Sequence, residues 1–390
     1  MGFGETDLRA GLLERPWTER LRHFQDFTVG HPRLAEAKDK LVSALRESAP
    51  NSIIFVVGPT GVGKTTLRKK IEQLLAQELL PVLEADRGRL PVVSVEAIAP
   101  ESGNFNWRDH FRRLLRQIDE MVINLKQPQL DDGSTGGQRF LPLTRASGAD
   151  YRYAVEQALQ CRRPLAVLID EAQHLAKMHS SRKLMDQLDV IKSIASRTGT
   201  VHALFGTYDL LAFRNLSGQL SRRSIDLHFP RYQADKTDDR KIFLSVLRTF
   251  EGQIPLPEQP DLVKDWEYLY EQSIGCVGVL KGVLIKALSA ALQEGSTTLT
   301  RRHLESRALS VAQCEKMLAE AIEGERCLLA SDEAHTRLRL SLGLDSSVNR
   351  AIPSKNGTTK KGGRSRPGQR RPRRDPIGRP EIVGVAHGTV

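Results

Sequence analysis

The run Gly58-Pro59-Thr60-Gly61-Val62-Gly63-Lys64-Thr65, with Thr66 after it, constrains this chain more than any other segment. An apolar run from Ile53 to Val57 precedes it, and Leu67, Ile71, Leu74 and Leu75 follow at helical spacing. A strand, a glycine-rich turn and a helix in that order aim successive turn N–H groups and the positive end of the helix at one point. That point is a site for phosphate. Lys64 would reach the β and γ phosphates of a nucleotide, and Thr65 would hold Mg²⁺.

Hydrolysis at such a loop needs one carboxylate to orient the metal and another to prepare the attacking water, both at the end of a buried neighbouring strand. Leu165-Ala166-Val167-Leu168-Ile169-Asp170-Glu171 supplies the pair. Its apolar run reads as a central parallel strand, with Asp170 as the metal-orienting acid and Glu171 as the general base. The adjacent acids point to hydrolysis of ATP as well as binding. Val201-His202-Ala203-Leu204-Phe205-Gly206-Thr207 reads as the next strand, and Thr207 at its end could position the water between γ-phosphate and base. In Gln219-Leu220-Ser221-Arg222-Arg223-Ser224, one arginine could reach a neighbouring subunit's γ-phosphate as a finger. The sequence does not separate Arg222 from Arg223.

Charge places the rest of the functional signal. The chain of 390 residues carries a net charge of +11, and residues 351–390 hold ten Lys and Arg against Asp375 and Glu381. That tail therefore accounts for +8. It has too few apolar residues to fold alone and is expected to be a disordered arm that nucleic acid attracts through phosphate neutralisation. A solubilising tail without a specific partner would have the same composition. Cys161, Cys276, Cys314 and Cys327 show no paired spacing, which argues against a zinc site or a disulfide framework and sets a reducing cytoplasm as the expected location. No run of 18 apolar residues occurs, and Met1-Gly2-Phe3-Gly4-Glu5 lacks the pattern of a secretion signal.

Strands alternating with helices up to Phe229-Pro230, then helical spacing alone, imply a parallel α/β core followed by an α-helical lid. The expected organisation is an N-terminal segment over 1–50 lying over the nucleotide, an ATPase core over 51–232, a lid over 233–325 and an extension over 326–390 that ends in the basic tail. Residues 126–149 read as a long polar loop. Arg108, Arg112 and Arg116 recur every fourth residue and so share one face of a helix.

With these residues in place, the chain resembles the AAA+ ATPases, and within them the TnsC/TniB family of DNA-transposition regulators, over roughly residues 15–325. The broad resemblance rests on Gly58 to Thr65 and Asp170-Glu171. The narrower one rests on His31-Pro32-Arg33-Leu34, Ile169-Asp170-Glu171-Ala172-Gln173-His174-Leu175, Phe205-Gly206-Thr207, and Ser273-Ile274-Gly275-Cys276-Val277-Gly278-Val279-Leu280-Lys281. It implies a P-loop AAA+ core with a helical lid, in which a basic residue at the start of a lid helix touches the nucleotide. Lys281 stands at that position, where an arginine is common in the wider class. It further implies an ATP- and Mg²⁺-dependent regulator that oligomerises on duplex DNA as rings or filaments and links a target-selection protein to a transposase. Arg108, Arg112, Arg113 and Arg116, with Lys177, Arg182 and Lys183, could line such an oligomer. A solvated helix face explains the same residues. Two other readings use the same core: a helicase loader or DNA-repair motor, and a signalling switch in which DNA plays no part.

Overall fold

The computed structural model describes residues 11–100, 104–118, 147–176, 181–214, 224–329 and 332–344, with the backbone alone for 181–183, 214 and 332–334. Strands β1 (Ile53–Val57), β3 (Ala166–Asp170) and β4 (Val201–Gly206) bury every residue. Such strands fit only the middle of a sheet covered on both faces. β2 (Val92–Glu96) buries Val93 and Val95 alone, and β5 (Ser224–His228) buries only Leu227. The order is β2-β3-β4-β1-β5 with every pairing parallel, so the two sparsely apolar strands form the edges.

Alternate residues of each strand feed different layers. Ile54, Val56, Leu168, Ala203 and Phe205 pack with Leu41 and Leu45 of α2 (Pro32–Glu47) and with Leu67, Ile71 and Leu75 of α3 (Lys64–Glu78). Phe55, Val57, Val95, Ile169 and Leu204 meet the opposite layer. That layer comprises α4 (Trp107–Gln117), α5 (Gly148–Arg162) and α6 (Ser181–Thr198). Local signals set the helix starts: the Asn106 side chain accepts from the Asp109 N–H at 3.0 Å, and Ser147 and Asp150 form a reciprocal capping box.

Past β5 the chain is helical, through α7 (Thr237–Gln253), α8 (Trp266–Ser273), α9 (Val277–Gln293) and α10 (Val311–Leu328). Phe243, Leu247, Phe250, Leu269, Leu280, Leu284 and Leu288 form the core of α7, α8 and α9, and Ala321 of α10 packs with Ile274 and Cys276. Phe24, on α1 (Trp17–Asp26), and Val29 belong to this helical core, whereas Leu34 belongs to the sheet. The N-terminal segment thus divides between two cores. Residues 1–329 form one compact unit and residues 330–390 a second, in which α11 (Asp332–Ser341) is described. Among the described residues no single helix is long and apolar enough to cross a membrane. The basic tail and residues 126–146 lie outside the described residues.

Candidate nucleotide site

The strands end together. Val57 of β1 pairs with Gly206 of β4 and His228 of β5, and Asp170 of β3 lies opposite Glu96 of β2. The loop that leaves β1 turns through left-handed backbone at Gly61 (φ 74°) and Gly63 (φ 114°), which side-chain-bearing residues seldom adopt. Gly58 is tight for another reason: a Cβ there would collide with the Phe229 carbonyl. Gly63 caps α3, whose first internal bond is Leu67 N–H to Gly63 O at 2.9 Å. The N–H groups of Lys64, Thr65 and Thr66 therefore have no acceptor within the helix they open, which is the geometry of an anion cradle.

Lys64 is 8% exposed. Its Nζ donates to the Gly58 and Pro59 carbonyls at 3.0 and 2.9 Å. Burial pushes the ammonium down to about 8, against Glu171, Cys276 and Asp170, which hold it up. The lysine and both acids thus act on one space at the strand ends.

Asp170 is 4% exposed and accepts one hydrogen bond on each oxygen, which leaves each a second lone pair. Oδ1 accepts from the Glu171 N–H at 3.0 Å, and Oδ2 accepts from Arg68 Nε at 3.1 Å. Arg68 stands one helical turn after Lys64 and also donates to Glu72 and Ser94. Glu171 adopts φ 51°, an uncommon conformation for a residue with a Cβ, and the turn around it is pinned. Ala172 N–H donates to Phe205 O at 2.8 Å and His174 N–H to Glu171 O at 3.0 Å. The Glu171 carboxylate accepts from Gln173 Nε2 at 2.5 Å. Thr207 caps the short turn Tyr208–Leu210, and its hydroxyl donates to Asp209 Oδ2 at 3.1 Å.

Thr65, on the exposed side of the first turn, and Asp170 are the hard oxygen ligands available for Mg²⁺. Among the described residues no group of three or more His, Cys, Asp or Glu is placed to hold a metal. One hydroxyl and one carboxylate fit an ion that keeps waters and takes its remaining ligands from nucleotide phosphates.

Lys281 Nζ donates to the Gln25 carbonyl on α1 at 2.5 Å, beside Asp26. The start of the same helix touches the phosphate loop. Gly278 and Val279 make that contact, with Gly278 N–H donating to Gly61 O at 2.8 Å and Val279 packed against Gly61. A tight turn through Ile274 (φ 48°) and Gly275 (φ 77°) sets this phase of α9, and Gly275 O accepts from Tyr232 N–H at 3.0 Å. The last lid helix also reaches the site's rim. Gly324 of α10 packs on the Tyr208 ring, Tyr208 bonds His228 at 2.9 Å, and Glu325 pairs with buried Arg231 at 3.0 Å.

Two of the α4 arginines, Arg113 and Arg116, line one cavity with Arg68 of α3 and with Ser94 and Glu96 of β2. Arg108, Arg112 and Arg116 are exposed on the face opposite Phe111, Leu114 and Leu115. Arg108 sits 5.8 Å from the Tyr151 ring centroid, and Arg113 pairs with Asp109 at 2.6 Å. Lys177, Arg222 and Arg223 lie outside the described residues, as do the side chains of Arg182 and Lys183. Sequence reading assigned no role to Arg68, Gln173 or Gly278. The spacing of Arg68 four residues after Lys64 was the signal for the first.

Residues 48–213 match the AAA domain family. Similar solved structures include the ORC2 protein of Aeropyrum pernix in ADPNP and ADP complexes, at 19% identity and TM-score 0.46, covering 75% of this chain and 71% of that one. A Walker-type ATPase of Pyrococcus abyssi shares 17% identity over 75% of each chain, at TM-score 0.45. The ORC1 protein of Aeropyrum pernix in complex with DNA shares 21% identity over 70% of this chain and 63% of that one, at TM-score 0.45. No curated protein matches in sequence. The AAA domain match and the parallel 2-3-4-1-5 sheet define an AAA+ P-loop ATPase fold with a C-terminal helical region.

Proposed function

We propose that this protein hydrolyses ATP to time its own assembly on duplex DNA, and that it regulates DNA transposition by linking a target-selection protein to a transposase. The carrying observation is the shared space in which Lys64, Asp170 and Glu171 act at the ends of β1 and β3, beneath a loop with free N–H groups. Gly58 through Thr66 cradle the triphosphate, and Lys64 leaves the Gly58 and Pro59 carbonyls for the β and γ phosphates. Thr65 and Asp170 would hold Mg²⁺ together with the nucleotide, where the ion would supply charge neutralisation. Glu171 takes the proton of the attacking water, and the Thr207 hydroxyl, freed from Asp209, holds that water in line. Arg222 or Arg223 reaches the γ-phosphate of a neighbouring subunit, which makes turnover depend on assembly. Arg108, Arg112, Arg116 and Lys177 contact DNA phosphates without reading bases. The transposition reading draws on the resemblance to the TnsC/TniB family.

The two key substitutions act at different stages. Lys64→Ala removes the ammonium and is expected to weaken ATP binding at least tenfold. Glu171→Gln keeps the shape and is expected to bind ATP within about threefold of wild type while turnover falls by a factor of about 100 or more. Calorimetric affinity and phosphate release, measured separately, check both. Wild-type turnover by Glu171→Gln would remove it from the role of base.

A further inference from the structure

We propose that Gln173 is a positioning residue that fixes the Glu171 carboxylate relative to the end of β4, an inference that rests on Glu171 being the base. Gln173 is 7% exposed. Its two amide ends serve different strands: Nε2 donates to Glu171 Oε2 at 2.5 Å, after β3, and Oε1 accepts from the Thr207 N–H at 3.3 Å, after β4. The side chain reaches this position because residue 206 is glycine. A Cβ on Gly206 would lie 2.6 Å from Gln173 Oε1 and 3.0 Å from its backbone nitrogen.

The bridge occupies Glu171 Oε2 and leaves Oε1 without a bond from Gln173, while the carboxylate supports the charge of Lys64 ahead of Asp170. A carboxylate at the end of a freely rotating stem would sample several directions, and proton transfer needs it within hydrogen-bond reach of one water. Gln173 removes that freedom. It also makes the orientation of the base depend on the β4 end, where the candidate water-positioning residue begins its turn. A side chain that only filled space here would serve as well without an amide. The amide engages the two groups whose separation matters for attack on the γ-phosphate.

Two full-length variants test this. Gln173→Met keeps length and volume and removes both bonds. In nucleotide-free protein, hydrogen exchange at the Thr207 amide should accelerate about tenfold; in steady-state turnover, kcat should fall about tenfold with KM within twofold, the loss of one orienting hydrogen bond. On a Glu171→Gln background the same change should cost less than twofold more, because nothing remains to orient. Gln173→Glu keeps the acceptor for Thr207 and faces Glu171 with a second carboxylate, so Thr207 protection should persist while kcat is lost. Unchanged Thr207 exchange in Gln173→Met, or kcat within twofold of wild type in either variant, overturns the proposal. An additive loss on the Glu171→Gln background does so as well. If the wild-type chain hydrolyses no ATP, the functional reading fails by itself, and the exchange measurement still decides whether the bridge holds Thr207.

Discussion

Gly278 shows how little separates the lid from the phosphate loop. Its N–H bonds Gly61 O at 2.8 Å, and a Cβ on Gly278 would sit 2.5 Å from that same oxygen, which belongs to backbone and cannot swing away. Gly278→Ala must therefore push α9 off the loop or distort the loop itself. The expected outcome is a loss of about 1–3 kcal/mol in stability, together with at least fivefold weaker ATP binding. Thermal unfolding and titration with a fluorescent ATP analogue check both; wild-type values in each would show that the contact is incidental. At this scale the sequence was legible where chemistry dictates residue type, as at Gly61, Gly63, Lys64 and the Asp170-Glu171 pair. Lys281 was read from its basic type and its place in the motif, whereas the phase of its helix was not visible in the sequence. The left-handed turn at Ile274-Gly275 sets that phase and presents Gly278 and Val279 to the loop, while Lys281 bonds α1. Gln173 was quoted within a motif, but its role depends on the register that brings Gly206 beside it.

At the scale of elements, α4 divides sharply into a buried face and a basic one. Arg112 and Arg116 are exposed and have no acidic partner among the described residues, so reversing both charges should change stability by less than about 0.5 kcal/mol each. If α4 lies against DNA in the assembled protein, Arg112→Glu with Arg116→Glu should weaken duplex binding. It should also flatten the logarithmic salt dependence by about two phosphate contacts per subunit. Fluorescence anisotropy across a salt series reads both quantities, and an unchanged affinity would make α4 an ordinary solvated face. The central strands were legible because burial on both faces demands an unbroken apolar run, as in Ile53 to Val57. β5 escaped notice for the opposite reason. As an edge strand it exposes Ile225 and Asp226 and buries only Leu227, so no apolar run marks it, and the polar–apolar alternation from Ser224 to His228 is only five residues long. Similarly, α1 buries Phe24 alone among ten residues, too sparse a stripe to announce a helix.

At the scale of the whole molecule, we propose that ATP binding drives many copies together on duplex DNA through an arginine from one subunit at the γ-phosphate of the next. The compact unit over residues 1–329 supplies the phosphate loop, both acids and the basic helix, and the finger we propose would act on another copy. Such a dependence is legible in a sequence only as a paired arginine, because nothing within one chain specifies the neighbour's approach. The most direct measurement is electron microscopy, with sedimentation, of the protein mixed with duplex DNA and a slowly hydrolysed ATP analogue, for wild type and for Arg222→Ala with Arg223→Ala. The expected result is ordered rings or filaments for wild type that ADP does not support, and a double variant that binds ATP but loses turnover. A wild-type protein that remains monomeric on DNA with the analogue, alongside a double variant with full turnover, would contradict it.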